Sequence, residues 1–376
     1  METLYTIRGR VLAFRRDSDP ILVNRWINDR IRQILDSKLY WSNLLSTGVI
    51  HVREGYRQGT VSVNRGSTVV VGSGTSWPVS DLVSTVLSAP IDEVGYVETR
   101  VADMSNIQPG MWLYVGGANP EPVPVAEVTP RGFLGKYSKP HQAGDPVSGS
   151  SLSGLQFRLN ESSPVYDVRA VTSPTLLILD KPWQSESKSG SAYEIVHMYA
   201  HMPPDLKTVL YAVDLSQSAV LEVGASYKHI AIFDPQRSSS GWVRALVEAG
   251  PDDTGVMRYE MWPAPSHGTE ISYLYARYWP EMVRDTDPAP WFLDAQVIAD
   301  GAIADALNWK RSGDDPYHNP RLAAYYEARF MAGLERLKAQ DEARVVKDYE
   351  ALPRMIGLGP DWYRKHAVND IREWVI

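Results

Sequence analysis

The sequence predicts an α+β chain: a helical bundle built from the N- and C-terminal segments, a large inserted antiparallel β-sandwich or barrel region, and an extended C-terminal arm. Three observations lead there. Long helix-period apolar stripes stand near both ends of the chain and not between them. From Val49 to about Pro280 the period drops to two and turn residues multiply. Beyond Asp348 the pattern is irregular, mixing prolines with aromatics. The boundaries that follow are 1–48 and 287–347 for the bundle, 49–90 and 151–286 for the inserted β domain, 91–150 for an extra small β module, and 348–376 for the arm.

The chain starts with a basic lead-in through Arg8, Arg10, Arg15 and Arg16. It has no apolar run of signal-peptide type, and no window approaches the ~18 apolar residues of a spanning helix, so a protein kept in a cytosol is expected. Asp17-Ser18-Asp19-Pro20 then opens a helix, because acidic residues suit the positive helix end and Pro20 presets the backbone. Its stripe is Val23, Ile27, Ile31 and Ile34, with Trp26, Leu35 and Leu39 beside it, and it continues to about Leu45. The opposite face, Arg25, Asp29, Arg30, Arg32 and Asp36, is either solvated or meets a partner.

Strands are expected at Thr60 to Asn64 and Thr68 to Val71, around the turn Arg65-Gly66-Ser67. Others follow at Gly95 to Thr99, Met111 to Val115 and Val123 to Val128. Ser148 to Gly154 reads as a linker or exposed loop. The β pattern resumes at Val165 to Val168, Thr175 to Asp180, Ala192 to Val196, Val209 to Asp214, His229 to Phe233, Met257 to Trp262 and Glu270 to Tyr278. Ala295, Ile298, Ala302, Ala306 and Trp309 then form a helical stripe, and Ala299, Gly301 and Ala304 keep its flanks narrow enough for close approach. Gly313-Asp314-Asp315-Pro316 stops that helix, Asn319 caps the next and Pro320 opens it, with Leu322, Tyr326, Phe330, Leu334 and Leu337 facing inward. The expected bundle core is therefore Val23, Ile27, Ile31, Ile34, Ile298, Ala302, Trp309, Tyr326, Phe330 and Leu334.

Composition excludes several chemistries. With no cysteine there is no disulfide, thiolate metal site or cysteine nucleophile. A net charge of -7 argues against wrapping nucleic acid on a basic surface, since such binding neutralises phosphates. The 12 Trp and 20 Tyr against 6 Phe favour side chains that keep one edge wet, as interfaces do. His197 and His201 have an i, i+4 spacing that would hold zinc on a helix, but they follow a strand and enclose no carboxylate, which favours ordinary strand-end histidines. Asp252-Asp253 and Asp314-Asp315 read as turn and cap residues, and Gly72-Ser73-Gly74 as hairpin chemistry. No catalytic, cofactor-binding or metal-binding residue is expected. A hydrolase triad assembled from distant residues is the enzyme reading left open.

Several segments, in order, resemble the head-to-tail adaptor (connector) proteins of tailed bacteriophages. They are the helical start ending in Tyr40-Trp41, Val69 to Trp77 with its Ser73-Gly74-Thr75-Ser76-Trp77, Ala170 to Trp183, Met202 to Leu206, Asp234 to Arg237, Trp262 to Pro265, and Tyr273 to Tyr278. The resemblance runs with gaps from about Pro20 to Arg344; the stretch from about Ile91 to Ser150 and the tail beyond Asp348 depart from it. It implies a virion protein without catalysis, made in the bacterial host cytoplasm, that forms a ring, commonly a dodecamer, between portal and tail. Its implied partners are the portal protein, the next tail protein (a nozzle or tail hub), further copies of itself, and double-stranded DNA passing the channel without sequence-specific binding. No membrane is involved. The tail's apolar set, Tyr349, Met355, Ile356, Leu358, Trp362, Tyr363, Trp374 and Ile376, either docks on the portal or packs on its own subunit. The alternative reading is a receptor- or carbohydrate-binding tail component, which the β-rich middle and its aromatics would serve.

Overall fold

The computed structural model describes residues 2–78, 83–159, 164–252, 255–311 and 315–355, those from 345 onward by backbone alone. The protein is mixed α and β and mostly strand. It divides into two compact units, Met1–Leu45 with Ala276–Ile376, and Ser46–Tyr275. The described helices are α1 (Leu4–Leu12), α2 (Pro20–Asp36), α3 (Tyr227–Phe233), α4 (Ala295–Asn308) and α5 (Pro320–Met355).

In the first unit α1, α2, α4 and α5 share one apolar core. The basic lead-in contains helix α1, an element not assigned from the sequence: Leu4, Ile7 and Val11, spaced three and four apart, are fully buried, and the arginines lie off that stripe. Asp19 caps α2 by accepting from the Ile21 N–H at 2.9 Å. The helix ends at Asp36 and not near Leu45, because Ser37 turns its hydroxyl back onto the Ile34 carbonyl (2.6 Å). A short 3₁₀ turn, Ser42–Leu44, and a strand from Leu45 follow. Leu39, beyond that end, is exposed, while Trp41 is buried against Phe292.

Helix α4 is not a one-sided stripe. Eleven of its fourteen residues are buried, Asp300 among them, and it stops at Asn308, short of the stop expected at 313–316, with Trp309 already extended. Small residues bring α5 close. A Cβ on Gly301 would stand 2.8 Å from the Phe330 ring, and one on Gly333 would stand 2.6 Å from a Val297 methyl. Asn319 caps α5 by accepting from the Leu322 N–H at 3.1 Å. Helix α5 continues to Met355, which corrects the irregular arm expected from 348. The run Ala343 to Leu352 suits a helix, and Pro353, two residues from its end, removes one intrahelical hydrogen bond.

The second unit holds three main sheets. One has seven strands in the order Leu45–Val52, Thr269–Arg277, Leu206–Asp214, Ala219–Val223, Ala245–Pro251, Met257–Trp262, Tyr199–His201. Its Ala219–Val223 and Ala245–Pro251 strands run parallel, and α3 lies in the crossover between them. The segment His229 to Phe233 is therefore helical and not a strand; its short apolar run fits either period, and only Ile230 of the helix joins a core cluster. A second seven-stranded sheet runs Lys188–Ser191, Thr60–Val63, Val69–Ser73, Leu176–Leu179, Tyr166–Ser173, Gln156–Leu159, Tyr193–Val196. The third has six strands, Val83–Val86, Pro146–Gly149, Trp112–Val115, Glu121–Thr129, Gly132–Tyr137, Gly95–Thr99. Each sheet has its own apolar cluster.

Two boundaries move. The six-stranded module begins at Val83 and not at 91, because Val83–Val86 pairs along the whole of Pro146–Gly149. Ser148 to Gly154 is no exposed loop: Ser150 and Ser153 are fully buried and bond each other, and Gly154, at φ +80°, lies where a Cβ would meet the Trp112 ring at 2.3 Å.

Candidate interaction site

The apolar stripe of α2 carries one charge at its edge. Arg30 stands three residues after Ile27 and four before Ile34, and that spacing turns it toward α4 and α5. Its Nε and Nη2 donate to the two oxygens of Asp305 at 2.7 and 2.6 Å, and its Nη1 donates to Glu327 at 3.0 Å. The guanidinium also lies 4.8 Å from the centre of the Phe330 ring. Burial opposes its charge, yet the hydrogen bonds it donates to Asp305 and Glu327 outweigh burial and hold the pKa above its ordinary value. Arg30 is thus not part of a wet face; it fastens three helices together.

Beside it Trp26 and Trp309 meet edge to face, ring centres 6.0 Å apart. These rings, with Asp29, Arg30, Asp305 and Glu327, line an open groove of about 550 Å³. Behind Trp309 lies Arg15, fully buried, its guanidinium 4.7 Å from the ring centre. Arg15 donates to the carbonyls of Ala306 (2.9 Å) and Trp309 (2.8 Å), where a cation complements the negative end of α4, and it pairs with Asp315. The Arg15 hydrogen bond holds the Asp315 carboxyl down at about 2. Asp315 also accepts from the Tyr317 N–H, a turn role. Farther along α5, buried Asp341 accepts from Lys38 and from the N–H and hydroxyl of Ser42.

Val23, Ile27, Ile31, Ile34, Ile298, Ala302, Phe330 and Leu334 are buried in the shared core. Tyr326 packs on that core half-buried, and Trp309 is half-buried in the groove wall. Tyr349 and Met355 lie on α5 with no side chain described. Ile356, Leu358, Trp362, Tyr363, Trp374 and Ile376 lie outside the described residues, as do Asp253, Gly313 and Asp314.

In the β unit the buried polar groups are joints between sheets. The Arg53 Nη atoms donate to the carbonyls of Ser151 (2.8 Å), Ser153 (2.9 Å) and Gly110 (3.0 Å), and its backbone N–H donates to His197 Nδ1 (3.1 Å). Burial pulls the Arg53 guanidinium down to about 9, so it stays charged at neutral pH. Burial first, and then the Arg53 charge, hold the His197 imidazole well below its ordinary value and therefore neutral. His201 lies edge-on to Trp112, with Nε2 3.4 Å from buried Asp252. No group of three or more metal-ligating side chains occurs among the described residues. Arg158 pairs with Glu194 on the neighbouring strand of its own sheet, Arg237 pairs with Glu260 of the other seven-stranded sheet, and the hydrogen bond from Arg158 Nη1 to the Arg237 carbonyl ties the two. Arg15, Arg30, Arg53, Arg158 and Arg237 all escape a reading by local pattern; their only local signal is a charge at core spacing, as with Arg30.

No family model matches this chain, and no curated protein matches it. Among solved structures, VP17, a capsid protein of bacteriophage P23-77, matches at 9% identity over 62% of this chain and 97% of that one, with a TM-score of 0.10. The VP16-VP17 complex of the two major capsid proteins of the same bacteriophage matches at 13% identity over 40% and 96%, with a TM-score of 0.09. Likenesses of this size carry no argument about fold or role. No described helix is long and apolar enough to cross a membrane.

Proposed function

We propose that the chain is a structural virion protein of a tailed bacteriophage, a head-to-tail adaptor without catalysis, which assembles as a ring between portal and tail. The observation that carries this reading is the division of the chain: its two ends build one helical unit, and the middle builds a separate β unit. A closed ring of identical subunits needs two unlike sticky faces per subunit for itself. A protein set between two rings needs one more face above and one below. A helical bundle meeting the portal and a β unit meeting the next tail protein supply chemically different surfaces for those tasks. The ordered segments from Pro20 to Arg344 that resemble adaptors support the same reading. An acidic balance suits a channel wall, because repulsion keeps DNA from adhering as it passes.

The test is to mix the purified chain with its portal protein and image the mixture by negative stain. A ring of this chain seated coaxially on the portal is expected. A trimeric fibre, or a monomer that leaves the portal bare, would overturn the proposal, and binding of a glycan array by such a species would favour the receptor-binding alternative.

A further inference from the structure

We infer that the turn following the Leu206–Asp214 strand of the β unit is a calcium-binding site built on the Asp214 carboxylate. The inference does not rest on the adaptor reading. Asp214 is fully buried, and its Oδ1 accepts from the N–H groups of Ser216 (2.9 Å) and Gln217 (3.2 Å) and from the Thr269 hydroxyl (2.7 Å). Its Oδ2 is buried too, yet among the described residues no donor reaches that atom and no Lys, Arg or His pairs with the carboxylate. Buried charges are paired or bind a metal, so half of this carboxylate lacks its complement.

The neighbouring hydroxyls set the sign of that complement. Thr269 has one hydroxyl hydrogen and directs it to Asp214, so the 2.8 Å contact between the Thr269 and Ser216 oxygens uses the hydrogen of Ser216. What both oxygens keep free is lone pairs. Ser216 and Thr269 line an open groove of about 440 Å³ with His51 and Glu270, so Asp214 is bonded to two residues of the groove wall. Glu270 adds a second acidic group, 58% exposed, which His51 meets at 3.3 Å. Because Oδ2 is closed off from solvent, the cation has to be a small ion and not an ammonium on a partner's side chain. Oxygen donors without a thiolate select calcium or magnesium over zinc or copper. Magnesium demands near-ideal octahedral geometry, whereas calcium tolerates a mix of carboxylate, hydroxyl and water. The set has two acidic groups and not a cluster of three, so an affinity of about 0.1 to 1 mM is expected. A bound ion would fasten the turn 215–218 to the Thr269–Arg277 strand.

The probe is calcium chloride, titrated by calorimetry into the full chain freed of divalent ions with a chelator, beside magnesium chloride at equal ionic strength. Calcium is expected to bind once per chain and to raise the thermal midpoint as its concentration passes about 1 mM, and magnesium to bind about tenfold more weakly or not at all. Asp214→Asn keeps the shape, removes the charge and should abolish binding. Ser216→Ala, at an exposed position, leaves the three hydrogen bonds to Asp214 in place and should weaken binding by about tenfold or more. If Asp214→Asn does not fold, Ser216→Ala decides alone. The inference is overturned if calcium at about 10 mM changes neither heat nor midpoint, in which case water fills the place, or if either variant binds calcium as well as the parent. It is also overturned if Glu270→Gln abolishes binding while Asp214→Asn retains it, since the ion then sits on the surface acid. Calcium binding is read on the purified chain, so its failure leaves the portal experiment untouched, and a bare portal leaves this result untouched.

Discussion

At the scale of single residues the chain relies on guanidinium groups that water does not reach. Arg15 is fully buried and satisfies two carbonyls and Asp315 together. Replacing it with Met should lower unfolding free energy by about 3 to 5 kcal/mol, the usual loss on breaking a buried pair, measured by urea unfolding at 222 nm. Arg15→Lys should recover only part, since one ammonium cannot span all three acceptors. Asp315 gives this clamp a pH signature. Its carboxyl titrates at about 2 in the folded chain against 3.8 as reference, so its contribution is complete above pH 3.8 and is lost as pH falls through about 2. His197 acts at milder pH. Its folded value lies below the 6.5 of a free histidine, so below that pH the unfolded chain takes up a proton that the folded chain refuses. Stability should therefore fall as pH drops below 6.5, by at most ~1.4 kcal/mol per pH unit for this one proton. His197→Gln should flatten that slope, and an unchanged slope would show that His197 is not its source.

At the scale of elements, α4 and α5 approach because Gly301 and Gly333 leave room for Phe330 and Val297. Gly333→Ala would press a methyl to 2.6 Å from Val297, whose branched side chain has little rotameric freedom in a helix. Overpacking costs about 1 to 3 kcal/mol and better helix propensity returns up to ~1, so a net loss is expected. Val297→Ala in the same chain should relieve it, and a double-mutant cycle should show coupling of opposite sign to the single effects. The β module is a second case. Removing only 92–148 would strip Val83–Val86 of its partner strand, whereas either deletion takes the Gly110 carbonyl from Arg53. Removing 83–149 whole and joining with Gly/Ser residues should express soluble protein at higher yield than the shorter deletion. What was legible in the sequence was local: the Val23 to Ile34 stripe, the helix opening at Asp17 to Pro20, the Asn319 cap, the small residues of α4, and most strands. Helix α1 was hidden because its stripe has three residues among arginines. The ion pairs were hidden for another reason, since Arg30 and Asp305 are 275 residues apart, and Arg15 and Asp315 are 300 apart. No periodicity spans such distances.

At the scale of the whole molecule, the two units have separate cores, and one of them is assembled from both ends of the chain. That arrangement predicts how damage distributes. Phe330 is fully buried in the helical core, where it touches the space above Gly301 and the Arg30 guanidinium. Phe157 is equally buried in the β unit, stacked on Tyr193 at 5.9 Å. Each change to Ala should cost about 3 to 5 kcal/mol, and Ile31→Ala about 2 to 5, by the transfer and cavity terms of a buried truncation. Phe330→Ala and Ile31→Ala, although some three hundred residues apart in sequence, should lower the same transition, that of the helical signal at 222 nm. Phe157→Ala should lower a different one, read by near-ultraviolet aromatic ellipticity. Removing the first 45 residues should abolish the helical transition as fully as stopping the chain at Asn319, because either cut takes away half of one core. If the chain unfolds in a single step that all three substitutions shift alike, the division into an end-built helical unit and a β unit has no energetic meaning, and the support it lends to an adaptor with two unlike faces is withdrawn.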